Sequence, residues 1–134
     1  KTALRMRPDR IIVGEVRDGA AYDLLKAWNT GHPGGISTTH ANDVLESLKR
    51  IAALSLESGG EFSAPPLSVI NSLIGSTVNI VVFISRSTSV VDGKVVKGRL
   101  VKQVGLVTGY NAETDAFSVI YDADEILNRL NKMY

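Results

Sequence analysis

The stretch that most constrains this chain runs from Arg7 to Asn42: RPDRIIVGEVRDGAAYDLLKAWNTGHPGGISTTHAN. It opens on a β-branched apolar run, Ile11-Ile12-Val13, that ends in Gly14-Glu15-Val16-Arg17-Asp18. A helix-like segment and a Gly/Pro turn follow, then a second short β-branched run ending at His40. A carboxylate and an imidazole are thus expected at the ends of two strands joined by a crossover helix. In open α/β sheets, ligands bind just beyond the carboxyl ends of the strands.

The rest of the pattern extends this α/β reading. A continuous apolar run bounded by polar residues, Ile11 to Val16, suits a strand buried on both faces. Before it, Ala3 to Arg7 reads as the tail of a helix stopped by Pro8. Asp18 is a candidate cap for a helix whose stripe is Ala21, Leu24, Leu25 and Trp28. Asn29-Thr30-Gly31 ends that helix, and His32-Pro33-Gly34-Gly35 is a turn by composition. Ile36 to Thr39 reads as a strand. Asn42 or Asp43 caps a helix running to about Ser58, with Val44, Leu48 and Ile51 on its apolar face, widened by Leu45 and Ala52. Glu46 and Arg50 form an i, i+4 pair on it. Gly59-Gly60 closes it, and Glu61 to Ala64 is loop.

Pro65-Pro66 primes a short helix with Leu67, Ile70 and Ile74 inward and Gly75 as its cap. Val78 to Ile84 is a second strongly apolar strand. Beyond Ser85 the character changes. Val90-Val91-Asp92-Gly93-Lys94-Val95-Val96 is a hairpin signal, since Asp-Gly accepts the positive φ of a type I′ turn. Leu100 to Val107 and Ala116 to Tyr121 read as further strands around an Asn111–Asp115 turn. They extend the same sheet in antiparallel fashion. Asp122 with Glu125 starts a last helix whose stripe is Ile126, Leu127, Leu130 and Met133.

With 134 residues, 44% of them hydrophobic, the chain can bury one core. Net charge is +1, so no overall field draws in nucleic acid or anionic lipid. There is no cysteine, which excludes disulfides and thiolate metal sites. No apolar run approaches the ~20 residues of a membrane helix. The abrupt start at Lys1-Thr2-Ala3 suggests a piece of something longer.

Chemically, Glu15 can hold the water shell of a magnesium ion or orient an attacking water. The plainer reading pairs it with Arg10 or Arg17. His40 can donate a hydrogen bond to a γ-phosphate, or be satisfied by a backbone carbonyl. His32 suits an exposed turn. No closely spaced ligand pair supports a metal site built from Glu15, His32 and His40. The arginines Arg5, Arg7, Arg10 and Arg17 crowd the first strand, where Arg can stabilise phosphate charge. A triphosphate cradle of the form G-x-x-x-x-G-K-[ST] is not in the chain: neither Gly34-Gly35 nor Gly59-Gly60 leads into Gly-Lys-Ser/Thr.

LRMRPDRIIVGEVRD followed by LLKAWNTGHPGGISTTHAN closely resembles the secretion ATPases of bacterial type IV secretion and conjugation systems, the Trb-type conjugal-transfer ATPases above all. Pilus-retraction and type II secretion motors are more distantly similar. The close match covers roughly residues 3–43. The resemblance implies that Ile11 to Arg17 is a Walker B segment, with Glu15 near magnesium through water. It implies that Thr30-Gly31-His32 to His40-Ala41-Asn42 is a histidine box beside the nucleotide, with His40 sensing the γ-phosphate. It places Arg17 near nucleotide and subunit contacts.

The implied fold is the C-terminal part of a RecA-like P-loop ATPase domain, a largely parallel sheet with helices and an antiparallel hairpin extension. One partial domain spans 1–134, divided into a 1–86 part with Walker B and histidine box and an 87–134 part of antiparallel strands and terminal helix. The implied parent is a homo-hexamer that uses ATP and magnesium at the cytoplasmic face of the inner membrane. It works with the secretion or conjugation machinery and without direct nucleic-acid contact. The family's Walker A loop and acidic box lie upstream of these residues, so this chain by itself is expected not to turn over. Without the P-loop strand, the buried strand would show an open edge. The alternative is a non-catalytic, ring-forming module that binds no nucleotide.

Overall fold

The computed structural model describes residues 8–58 and 65–133. The expectations for Ala3–Arg7, including Arg5 and Arg7, and for Gly59–Ala64 lie outside the described residues. In chain order the elements are β1 (Ile12–Val13), α1 (Ala20–Asn29), β2 (Ile36–Ser37), α2 (Val44–Leu56), α3 (Leu67–Thr77), β3 (Ile80–Val91), β4 (Lys94–Asn111), β5 (Ala116–Ile120) and α4 (Ala123–Met133). The architecture is α/β.

The strands form two sheets. β1 and β2 pair in parallel, with Ile12 opposite Ile36 and Val13 opposite Ser37. The crossover between them is α1. The second sheet is antiparallel in the order β3-β4-β5. It is separate from the first and is not the extension of it that the pattern suggested. β3 runs without a break across the expected 86/87 division. The type I′ turn is present, with φ of 51° at Asp92 and 72° at Gly93.

Helices α1, α2 and α3 pack together over one face of the second sheet. The core joins Leu25, Leu48, Ala52, Ile70, Ile74 and Val107, with Val81, Phe117 and Val119 packed against it from the strands. Side chains alternate along a strand. Val81 and Phe83 therefore turn inward, while Ile80, Val82 and Ile84 face outward and are exposed.

Three local expectations are corrected. The Ile11–Val16 strand is regular over two residues only, and Ile12 is 68% exposed rather than buried. Among the described residues β2 is the one strand paired with it, and its Ile12 face is left uncovered. Gly75 does not cap α3, which continues to Thr77. A Cβ at Gly75 would lie 2.7 Å from the Tyr110 nitrogen, so glycine there permits close approach of helix and strand. Glu46 pairs with Lys49 at 3.8 Å, not with Arg50. In α2, Ser47 and Ser55 are buried beside the expected apolar face. Their hydroxyls donate to the Asp43 and Ile51 carbonyls at 2.7 and 2.8 Å, which removes the cost of burying them.

Two of the three predicted side-chain caps hold; α1 instead starts from Gly19 without a side-chain cap bond, and Asp18 Oδ1 accepts from the Ala20 amide at 2.9 Å. Asp43 Oδ1 accepts from the Glu46 amide at 2.7 Å, and Asp122 Oδ1 accepts from the Glu125 amide at 2.8 Å.

Candidate functional site

The parallel pairing of β1 and β2 decides what lies together. It brings both carboxyl ends to one side of the ladder. Past the regular strands the two chains stay joined. The Val16 amide donates to the Thr38 carbonyl at 2.9 Å, and the Thr38 hydroxyl donates to the Gly14 carbonyl at 2.6 Å. These two bonds hold the segments that carry Glu15 and His40. Nothing in the local sequence around Thr38 singles out its hydroxyl. The signal is topological: a residue just beyond β2 must face the end of β1.

Glu15 is the centre of the cluster. Its Oε2 accepts from the Arg17 guanidinium at 2.5 Å, and its Oε1 lies 3.2 Å from His40 Nε2. The Glu15 side chain is 23% exposed, whereas that of His40 is 92% exposed. The hydrogen bond from Arg17 is the main influence that lowers the Glu15 pKa. Desolvation opposes it, and the charges of Arg17 and His40 add to it. Glu15 in turn raises the Arg17 pKa. The carboxylate is therefore held ionised chiefly by Arg17, with His40 Nε2 beside its other oxygen.

The other predicted site residues stand apart from this cluster. The Thr30 hydroxyl donates to the Lys26 carbonyl at 2.7 Å and so closes α1. Gly31 follows with φ of 107°, where a side chain would be strained. His32 Nδ1 is shielded from solvent and has no hydrogen-bond partner among the described residues. No bond links Thr30, Gly31 or His32 to Glu15 among the described residues.

Trp28 has a positioning role that its place on an amphipathic stripe does not suggest. Its indole Nε1–H donates to the Ile11 carbonyl at 3.1 Å, tying α1 to the start of β1. A Cβ at Gly35 would land on that indole nitrogen and lie 2.6 Å from the Ile11 oxygen. The paired glycines after Pro33 were the available signal.

The donor set fits magnesium in a limited sense. Mg²⁺ keeps several waters and uses one or two carboxylates together with substrate phosphates. Glu15 offers one such carboxylate, with both oxygens already engaged. Among the described residues, no group of three or more His, Cys, Asp or Glu is placed to hold a metal. Glu15 is thus suited to a hydrated ion and not to a protein-built cage.

Solved structures share this fold. The VirB11 ATPase of the Brucella suis type IV secretion system, solved with sulphate, superposes with a TM-score of 0.62 at 32% identity, covering 78% of this chain and 30% of that one. The Legionella pneumophila ATPase DotB gives a TM-score of 0.58 at 28% identity, over 78% of this chain and 26% of that one. The fold is that of a partial RecA-like ATPase domain.

The family model for the type II/IV secretion system protein matches residues 1–130, and the chain belongs to that family. Among curated relatives, conjugal transfer protein TrbB of Rhizobium radiobacter is 46% identical over 110 residues, which are 82% of this chain and 29% of TrbB. VirB11 of Bartonella quintana is 40% identical over 96 residues, 70% of this chain and 25% of that protein. The chain spans less than a third of the length of the relatives it matches. Among the described residues, no helix is long and apolar enough to cross a membrane.

Proposed function

We propose that this chain is the Walker B and histidine-box portion of a homo-hexameric ATPase, and that the whole protein hydrolyses ATP to drive type IV secretion, conjugal DNA transfer or pilus assembly. One observation carries the reading: Glu15 and His40 meet at 3.2 Å at the carboxyl ends of adjacent parallel strands. Kinship with the VirB11 and DotB ATPases supports it. The machine would sit at the cytoplasmic face of the inner membrane, with its transport partners and without touching nucleic acid itself. Residues 1–134 form one partial domain of it.

In this reading Glu15 is the residue that would hold the water shell of a magnesium ion. His40, its side chain exposed, donates Nε2–H toward the terminal phosphate. Arg17 keeps Glu15 ionised and offers its remaining N–H groups to phosphate or to a neighbouring subunit. Thr30, Gly31 and His32 shape the adjoining turn, where the unpartnered His32 Nδ1 leaves a polar atom for the nucleotide. Magnesium, when bound, neutralises phosphate charge. Phosphoryl transfer also needs a phosphate cradle, and none is encoded in this chain, so by itself it does not turn over.

The test joins this chain to the phosphate-loop half of a TrbB relative. Magnesium-dependent ATP hydrolysis is expected in the joined protein and its loss in Glu15→Gln. Full activity in Glu15→Gln rejects the assigned role. A joined protein that forms rings yet neither binds nor hydrolyses ATP favours the non-catalytic ring module.

A further inference from the structure

The distal half of the β3–β4 hairpin is not used by the proposed site. From Ile84 to Lys102 it carries five cations, Arg86, Lys94, Lys97, Arg99 and Lys102, against one carboxylate, Asp92. The near-neutral net charge of the chain conceals this local excess. The register puts Arg86 directly opposite Arg99 and Thr88 opposite Lys97. Residues directly opposite share a face, so Arg86, Arg99 and Lys97 stand together on one side of the ribbon. Among the described residues, none of them takes part in an ion pair. Like charges directly opposed across strands destabilise a sheet. An anion over this face removes that repulsion. Arg86, Thr88, Lys97 and Arg99 line an open hollow of about 490 Å³ there, large enough for a phosphate group.

The tip beyond the cations is apolar. Val90, Val91, Val95 and Val96 are 69, 53, 65 and 47% exposed and cover both faces of the ribbon around the Asp92-Gly93 turn. At about 3.4 Å per residue, Lys97 lies about 7 Å and Arg86 about 14 Å behind the Val90–Val95 pair. This spacing matches the polar zone of a bilayer, about 5–8 Å per leaflet, once the reach of long basic side chains is added.

We infer that the β3–β4 hairpin tip is a contact for anionic lipid, with the four valines entering the headgroup boundary and Arg86, Lys97 and Arg99 binding lipid phosphates. Charge complementarity selects an anionic surface. The valines and the lack of any aromatic residue from Ile84 to Lys102 favour lipid over nucleic acid, whose single strands are bound by stacking. The inference builds on the peripheral-membrane part of the proposed function and supplies its point of attachment. It is independent of ATP turnover.

The test is sedimentation of this chain with vesicles of phosphatidylcholine alone or mixed equally with phosphatidylglycerol. Binding is expected to the mixed vesicles only, and to fall away in about 0.5 M salt, where charges are screened beyond a few ångströms. The variant carrying Arg86→Gln, Lys97→Gln and Arg99→Gln is expected to bind about 100-fold more weakly, at about fivefold per charge. Val90→Thr with Val95→Thr keeps strand propensity and is expected to weaken binding several-fold. Lys49→Gln, on α2, is the charge control and is expected to bind as the parent does.

Unchanged vesicle binding in both hairpin variants overturns the inference while leaving peripheral attachment intact. No vesicle binding by the unsubstituted chain also overturns it, and leaves attachment through other parts of the whole protein untouched. An equal loss in Lys49→Gln, or displacement from vesicles by an oligonucleotide that the hairpin variants no longer retain, also overturns it.

Discussion

The Trp28 indole and the Ile11 carbonyl are joined by a hydrogen bond of 3.1 Å that crosses from the third turn of α1 to the threshold of β1. Gly35 is the floor beneath that bond. Gly35→Ala places a methyl group on the indole nitrogen, and overpacking of this kind costs about 1–3 kcal/mol. Trp28→Phe keeps most of the apolar surface and loses the bond, at about 0.5–1.5 kcal/mol. Urea unfolding is expected to rank Gly35→Ala below Trp28→Phe, with both below the parent.

Glu15 makes acid sensitivity predictable in sign. Its folded pKa lies below the ordinary glutamate value of about 4.3, chiefly through the Arg17 hydrogen bond. A group of this kind contributes stability that is fully present above its unfolded pKa and is lost as pH falls through its folded pKa. Melting temperatures of the parent and Glu15→Gln should therefore differ most near neutral pH and converge below about pH 4. A gap that stays constant from neutral pH down to about pH 3 excludes this linkage.

Asp43 begins the most buried helix of the chain. Its side chain satisfies the Glu46 amide, and the following Val44 amide donates to Gln103 Oε1 at 3.1 Å. Asp43→Ala leaves a helix donor without its partner and is expected to cost about 1 kcal/mol. Asp43→Ser, which also caps, is expected to recover most of that in chemical denaturation.

Arg86 and Arg99 oppose each other across the β3–β4 ladder. Arg86→Glu turns repulsion into attraction and is expected to stabilise the chain by about 0.2–1 kcal/mol. The same substitution is expected to weaken binding to anionic vesicles by about 25-fold, two charge units at about fivefold each. A variant that unfolds later yet binds less would separate a residue kept for contact from one kept for folding.

The sequence was most readable where local rules suffice. Asp-Gly marked the hairpin turn, Asp43 and Asp122 marked helix starts, and the stripes of α1 and α2 marked Leu25 and Leu48 for the core. It was least readable where a partner from elsewhere in the chain decides. The run Ile11 to Val16 has the composition of a buried strand, but composition does not say how many strands flank it. Gly75 looks like a helix cap until Tyr110 is known to lie against it. In the site, Arg17 as the partner of Glu15 was open beside Arg10, and the structure selects Arg17. The meeting of Glu15 and His40 depended on a parallel pairing that α1 makes possible. Thr38 and Trp28 act through backbone oxygens, which leave no trace in a pattern of side chains.

Ile12 and Ile36 are paired with each other and are 68% and 62% exposed. The ladder that carries the charged cluster is therefore two residues long and wet on that face. Its stiffness is borrowed. A layer that dried those two isoleucines would strengthen the same short pairing that sets Glu15 beside His40.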